Sequence, residues 1–298
     1  MVAPIKEMKW VILGGEGQLG RAMSVELDRN NTKFTSLNHA QLDITKQKAI
    51  DNFFARELPD VVLNAAAWTN VDLVESQEEN ALLINAYGPK LLAEACAKFD
   101  AKFVHISTDY VFSGISNSPW SETSEVAPVS AYGRTKAAGE RAVLDIYPGG
   151  SFVVRTAWLY SPWGKNFVKT LLKFALDGNG SIEVVNDQVG QPTSASDLAH
   201  QIQRMIFQNV SPGIYHGTNS GQATWFELAQ KIFELAQVDC ERVVAVNSSR
   251  FPRPAKRPAY SVLGHNHWVQ NGLNPMQCWQ GALSDAFPAI LQAIKKGE

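Results

Sequence analysis

The chain has 298 residues, 27 Lys and Arg against 29 Asp and Glu, a net charge of −2, and 45% hydrophobic residues. That length suits one large α/β domain or a main domain with a smaller lobe, since single cores stop growing near ~250–300 residues. A near-neutral chain without a basic block lacks the footprint of a nucleic-acid binder, and no run of ~18 apolar residues marks a membrane span.

Trp10-Val-Ile-Leu13 is a short apolar run, followed at once by Gly14, Gly15, Gly17 and Gly20 and then by an amphipathic stretch to Arg29. The pattern predicts strand, tight turn, helix. Phe34 to Leu37 is a second strand and Thr45 to Glu57 a helix; Asp60 to Asn64 is a third strand and Ala81 to Phe99 a helix. Lys102 to Ser107 is a fourth strand, Ala131 to Ile146 a helix, and Ser151 to Arg155 a fifth strand. Such alternation predicts a parallel sheet with helices on both faces. Beyond Ala157 the regularity weakens. Pro162, Gly164, Gly178, Gly180, Pro192, Pro212 and the Pro252 to Pro258 segment interrupt shorter helices at Phe167 to Leu176 and Trp225 to Ala236. The reading is a dinucleotide-binding domain over 1–157, to which later strands can return, and a mainly substrate-binding lobe over 158–298.

Cys96, Cys240 and Cys278 are odd in number and widely spaced, which argues against a disulfide framework or a zinc site and fits a reducing cytoplasm. The first residues lead into a short strand instead of an apolar signal region. A soluble cytoplasmic protein is expected. Arg250, Arg253, Lys256 and Arg257 gather on the Pro-rich stretch, either as an anion-binding loop or as a solvated one.

Glycines at 14, 17 and 20 allow a tight turn, close approach of backbone N–H groups to a pyrophosphate, and close helix packing. Their place between an apolar strand and a helix gives the motif its weight. The end of the second strand reads Leu37-Asn38-His39, without the usual carboxylate for a ribose 2′-hydroxyl. That mildly favours NADPH over NADH, although no arginine stands there to hold a 2′-phosphate. Asp43 either contacts the adenine or caps the next helix.

Tyr132-Gly-Arg-Thr-Lys136 follows Pro128 and an expected N-cap at Ser130. Residues four apart stack on one helix face, so phenol and ammonium share a space, and a nearby cation lowers a phenol's pKa. Ser107 and Thr108 lie where the fourth strand ends, the edge at which α/β sheets bind ligands. Glycine turn, strand-end hydroxyl and YxxxK together point to proton transfer beside a dinucleotide.

On these residues the chain resembles the extended short-chain dehydrogenase/reductase family, and within it the dTDP-4-dehydrorhamnose reductases. The likeness rests on Gly14 to Gly20, Leu42-Asp-Ile-Thr45, Pro59 to Ala67 with Thr69, Val71 and Asp72, and Asn85-Ala86. It continues through Ser107 to Phe112, Tyr132 to Lys136, Arg155 to Trp158, Asn166-Phe167, Asn186 to Thr193, Gly213 to His216 and Thr224-Trp225. It implies a Rossmann-like, doubly wound parallel sheet with a smaller C-terminal α+β substrate lobe. It also implies reduction of a 4-keto group on a nucleotide-linked sugar with NADP(H), NAD(H) being the alternative dinucleotide. Carried over, Tyr132 donates the proton, Lys136 lowers its pKa and holds the nicotinamide ribose, and Thr108 assists at the sugar. Gly14, Gly17, Gln18, Leu19 and Gly20 take the pyrophosphate, Asn38, Asp43 and Ile44 the adenosine end, and Ala67 and Thr69 the adjoining wall. Thr108, Asp109, Tyr132 and Trp158 meet the sugar.

There are departures. Ala22 stands near the place where some relatives carry a magnesium-binding glutamate at a dimer interface, so the expected assembly is a monomer or homodimer without an assigned metal. Ser113 replaces an acidic residue or proline, and the tail beyond Tyr260 matches poorly. His265-x-His267 there is a weak metal pair, and Trp268 and Trp279 read as packing against the lobe. A sugar-nucleotide dehydratase would need a second carboxylate after Asp109, where Tyr110 stands. Two alternatives stay open: a 4-ketoreductase for another nucleotide-linked deoxysugar, and a non-catalytic NADP-binding regulatory subunit.

Overall fold

The structure is a computed structural model, and it describes residues 8–178 and 180–297. The elements run in order β1 (Trp10–Leu13), α1 (Gln18–Arg29), β2 (Phe34–Leu37), α2 (Gln47–Glu57), β3 (Val61–Asn64), α3 (Val71–Val74) and α4 (Glu78–Leu82). A π-helical segment, Leu83–Tyr87, joins α4 to α5 (Gly88–Phe99); then come β4 (Lys102–Thr108), α6 (Ala131–Ile146) and β5 (Ser151–Thr156). The rest comprises β6 (Leu159–Tyr160), α7 (Phe167–Asp177), β7 (Ile182–Val185), β8 (Val189–Gly190), β9 (Thr193–Ser194), α8 (Ala195–Phe207) and β10 (Gly213–His216). It closes with β11 (Ala223–Thr224), α9 (Trp225–Leu235), β12 (Val243–Val246), α10 (Asn266–Gln270) and α11 (Trp279–Lys295).

Six strands form one parallel sheet in the order β2-β1-β3-β4-β5-β10. Because side chains alternate along a strand, its residues feed two cores. Trp10, Ile12, Val61, Leu63, Val104, Phe152 and Val154 pack with α1 and α8 on one face. Val11, Leu13, Val62, Phe103 and Val153 pack with α2, α5 and Val143 of α6 on the other. Burial on both faces explains why these strands read as continuous apolar runs. The chain turns in opposite directions on leaving β1 and β3, so their carboxyl ends border a crevice.

The lobe has its own core, built from α7, α9, α11, β7 and β12. Residues after 157 do not all belong to it. Helix α8 packs on α1, strand β10 extends the main sheet, and Trp268 is buried in the first core with its Nε1 donating to the His216 carbonyl at 2.7 Å. Trp279 packs in the lobe. Among the described residues no helix is long and apolar enough to cross a membrane.

Candidate active site

The glycine turn decides what the crevice can hold. Gly14 has φ +78°, a conformation that glycine tolerates best, and a Cβ there would stand 2.7 Å from the Ala66 nitrogen. A Cβ on Gly20 would stand 2.4 Å from the Gly14 carbonyl oxygen. The N-cap of α1 is Gly17, and no side chain caps it, which leaves the first N–H groups of α1 for an anion. Beside the turn lies a cleft of about 350 Å³ lined by Gly14, Gly17, Asn38, Asp43, Ile44 and Ala67, among others. An uncapped helix start beside a cradle too tight for side chains fits a dinucleotide.

Three expected contacts fall elsewhere. The Gln18 amide oxygen accepts from Ser161 and Asn166 at 3.0 Å each, so that side chain ties α1 to the lobe. Leu19 is buried in the first core, and Thr69 is exposed outside the cleft lining. Gln18 and Leu19 can serve a pyrophosphate only through their backbone. Asp43 lines the cleft but is not the helix cap: Lys46 holds that position in α2, and the Asp43 carboxylate accepts from the Thr45 N–H at 2.9 Å and its hydroxyl at 2.7 Å.

The second cluster sits at the end of β4. Ser130 caps α6 by accepting from the Gly133 N–H at 3.2 Å, and α6 carries Tyr132 and Lys136 against β4. Gly133 and Gly139 let the helix close in, since a Cβ would meet the Tyr110 carbonyl oxygen at 2.2 Å and the Asn85 carbonyl oxygen at 2.1 Å. Asn85 lies in the π-helical segment. Its amide accepts from the Trp68 N–H at 2.8 Å and donates to the Trp68 carbonyl and the Thr135 hydroxyl at 3.1 Å each, stapling the loop after β3 to α6. Segments of this type are frequent at functional sites.

Tyr132, 9% exposed, packs edge-on to Tyr110 at 5.6 Å and shares a cluster with Trp68 and Val71. The Thr108 hydroxyl donates to the Asp109 carboxylate at 3.0 Å and accepts from the Tyr110 N–H, so Thr108 caps the short turn after β4. Burial raises the Asp109 carboxyl to about 6, with Ser261 and Thr108 working the other way. One Asp109 oxygen lacks a hydrogen-bond partner among the described residues.

Lys136 is 1% exposed, and burial lowers its amine to about 8. It donates to the Ile106 carbonyl at 2.6 Å. The Tyr132 phenol is pushed up, first by burial and then by Asp109, with the Thr108 hydroxyl as the opposing influence. Burial prevails because the phenol sits in a dry layer among Tyr110, Trp68 and Val71.

A second cleft, about 490 Å³, opens between sheet and lobe, lined by Tyr110, Trp158, Trp225, Arg253, Arg257 and Ser261, among others. Trp158 holds φ +46°, an outlier for a bulky side chain, and stacks on Trp225 at 3.5 Å with planes 10° apart. Arg257 makes a two-pronged bond to Asp72 at 2.7 and 2.9 Å, joining the lobe to α3. That pairing holds the Asp72 carboxyl low, although burial works against it. Arg250 pairs with Glu183 on the lobe surface. Asp109, Thr108 and Tyr132 do not line this cleft; Tyr110 and Ser261, which neighbour them, do.

The sequence reading named Asp72, Asn85 and Trp225 as matches to the family without a role, and it did not single out Ser261 or Glu16, whose carboxylate meets Asn38, because each reaches its partner across the fold. His265 and His267 are likewise framework groups. His265 Nε2 lies 2.8 Å from the Thr218 hydroxyl and His267 Nδ1 2.6 Å from the Ile214 carbonyl oxygen. Ala22, where a metal-binding glutamate would stand in some relatives, is buried in the first core.

Comparison with known proteins places these features. Residues 8–291 match the family described as RmlD substrate binding domain. The chain is 46% identical over 287 residues to a probable dTDP-4,6-dihydroxy-2-methyloxan-3-one 4-ketoreductase of Streptomyces antibioticus, covering 96% of this chain and 97% of the relative. It is 41% identical over 293 residues to a dTDP-4-dehydrorhamnose reductase of Streptomyces griseus, covering 97% and 96%. A crystal structure of dTDP-4-dehydrorhamnose reductase from Bacillus anthracis in complex with NADP superposes with TM-score 0.91 at 36% identity, covering 95% and 99%.

Proposed function

Since the chain belongs to the RmlD substrate binding domain family, we propose that it reduces the 4-keto group of dTDP-4-dehydro-6-deoxy-L-mannose to give dTDP-L-rhamnose. One observation carries the reading: Thr108, Tyr132 and Lys136 gather at the end of β4, on the sheet edge that also bears the glycine turn and its cleft, and Tyr110, packed on Tyr132, lines the larger cleft against the lobe. A reduced nicotinamide dinucleotide, NADPH or NADH, supplies the hydride when bound.

The chain's own residues do the rest. Gly14, Gly17, Asn38, Asp43, Ile44 and Ala67 hold the adenosine end, and the uncapped start of α1 takes the pyrophosphate. Lys136, steadied on the Ile106 carbonyl, holds the nicotinamide ribose. Tyr132 gives its proton to the oxygen at C4. Burial keeps the phenol protonated at neutral pH, so the proton is present to be given. Thr108 steadies the phenol, and its hydroxyl proton turns from Asp109 to the reacting oxygen when the sugar binds. Trp158, stacked on Trp225, forms a wall for the sugar, and Arg253 and Arg257 face the diphosphate. We place this chemistry in the cytoplasm.

A second reading has an observation of its own. The Streptomyces antibioticus relative is named for reduction of a different dTDP-linked keto sugar, so the sugar accepted here can differ around Trp158 without altering the proton donor. The test is product analysis with dTDP-4-keto-6-deoxy-L-mannose and its epimers, with NADPH and NADH in parallel. Turnover of the L-manno substrate to dTDP-L-rhamnose is expected. Faster turnover of another dTDP-4-keto sugar would move the assignment to the second reading. Dinucleotide binding without any turnover would leave a regulatory subunit.

A further inference from the structure

In nicotinamide folds of this order, the ribose beside the adenine is read by a carboxylate about 20 residues beyond the glycine turn. That position here is Asn38, one residue after β2. Its side chain carries a carboxylate with it: Asn38 Nδ2 donates to Glu16 Oε1 at 2.8 Å. The approach is built in. The Gly15 N–H donates to the Leu37 carbonyl at 2.9 Å, which pins the glycine turn to the end of β2, and a Cβ on Gly15 would stand 2.0 Å from the Ser36 hydroxyl oxygen.

The orientation of Asn38 is fixed as well. Its Oδ1 accepts from the Gln41 N–H at 3.1 Å, and its own N–H donates to Gln41 Oε1 at 2.8 Å, so the amide nitrogen faces Glu16. Asn38 and His39 line the same cleft as Gly14 and Gly17. Asp43, also in that lining, adds a second carboxylate. Lys46 acts on Asp43, and Arg21 Nε donates to the Glu16 carbonyl oxygen at 3.1 Å.

A 2′-hydroxyl can donate to a carboxylate, whereas a 2′-phosphate brings about two negative charges of its own. We propose that Glu16, positioned by Asn38, is a cofactor-specificity residue that penalises a 2′-phosphate and tilts this chain toward NADH over NADPH. The inference rests on the reading that the glycine cleft holds a nicotinamide dinucleotide. It reverses the preference expected from the strand end alone, because the carboxylate arrives from the turn and not from β2.

The experiment is titration of NADPH and NADH onto the full chain without sugar, for wild type, E16Q and Glu16→Ser. E16Q keeps an acceptor for Asn38 and removes only the charge. The ratio of the NADPH to the NADH dissociation constant should fall by about tenfold in both variants, the scale of one unit charge facing another across partly wet surface. A ratio that does not move overturns the proposal. So does a loss of NADPH affinity in Arg21→Ala combined with an unmoved ratio in E16Q, which would make Arg21 the reader of the 2′ position. If neither dinucleotide binds wild type, the cofactor reading itself falls and the proposal with it.

Discussion

The Lys136 ammonium donates to the carbonyl oxygen of Ile106 at 2.6 Å, at the point where β4 reaches its strand-end hydroxyls. This bond anchors the amine to the sheet and leaves its remaining protons for a ligand. Glu140 on the next helical turn raises its pKa, but burial prevails and the amine comes down to about 8. Buried His105 is disfavoured as a cation, by burial and then by this same amine.

A titration in the alkaline range follows. As pH rises through about 8 the ammonium loses its proton and with it the hold on the ribose proposed above, so kcat/KM should fall there. Tyr132 is not the source, since its phenol titrates well above its ordinary value. In Lys136→Arg the alkaline limb should move beyond pH ~10, because a guanidinium does not titrate there. A pH profile with an unmoved limb in that variant would exclude Lys136.

Removing the phenolic hydroxyl tests the proton donor directly. Tyr132→Phe should lower kcat by roughly 10²–10⁴-fold, the usual span for a general acid, with dinucleotide affinity within about threefold of wild type. Turnover near that of wild type would assign the proton to another group.

Asp109 makes a stability prediction whose sign is definite. Its carboxyl is raised from 3.8 to about 6, so between those values the native state binds more protons than the unfolded chain and stability falls as pH rises. The contribution is fully present below pH ~4 and lost above pH ~6. Asp109→Asn should therefore unfold later than wild type at pH 7.5, by on the order of 2 kcal/mol, and show little difference at pH 4. Thermal melts at the two pH values decide it. Equal shifts at both would mean that the carboxylate carries no such penalty.

The opposite holds for the buried pair behind the site. Arg155 and Glu140, 1% and 5% exposed, form a two-pronged bond at 2.7 and 2.9 Å, with the guanidinium 4.9 Å above the Phe112 ring. Glu140→Gln leaves an uncompensated buried cation. The expected loss is about 3–5 kcal/mol in urea unfolding; a loss under ~1 kcal/mol would show that the pair is not desolvated as its burial implies.

Gly20→Ala addresses the cradle. Its Cβ would stand 2.4 Å from the Gly14 carbonyl oxygen and 2.7 Å from Gly15 Cα, so the turn must shift. Dinucleotide affinity should drop by roughly tenfold or more while the far-UV spectrum is kept. Unchanged affinity would mean that the turn does not shape the site.

What the sequence determined on its own is local. Apolar runs from Trp10, Val61, Phe103 and Phe152 announced strands buried on both faces, glycines 14, 17 and 20 announced the turn, and the four-residue spacing from Tyr132 to Lys136 put both on one face of α6. Periodicity and turn chemistry act over a few residues, which is why they can be read without a partner. Only the tertiary structure decided the rest. It brought Glu16 to Asn38, Asp72 to Arg257 and Trp158 to Trp225, and it returned α8 and β10 to the main domain. These approaches depend on the order of strands in the sheet and the seating of the lobe. The acidity of Tyr132 depends on how dry its surroundings are, a quantity set by every segment packed around it.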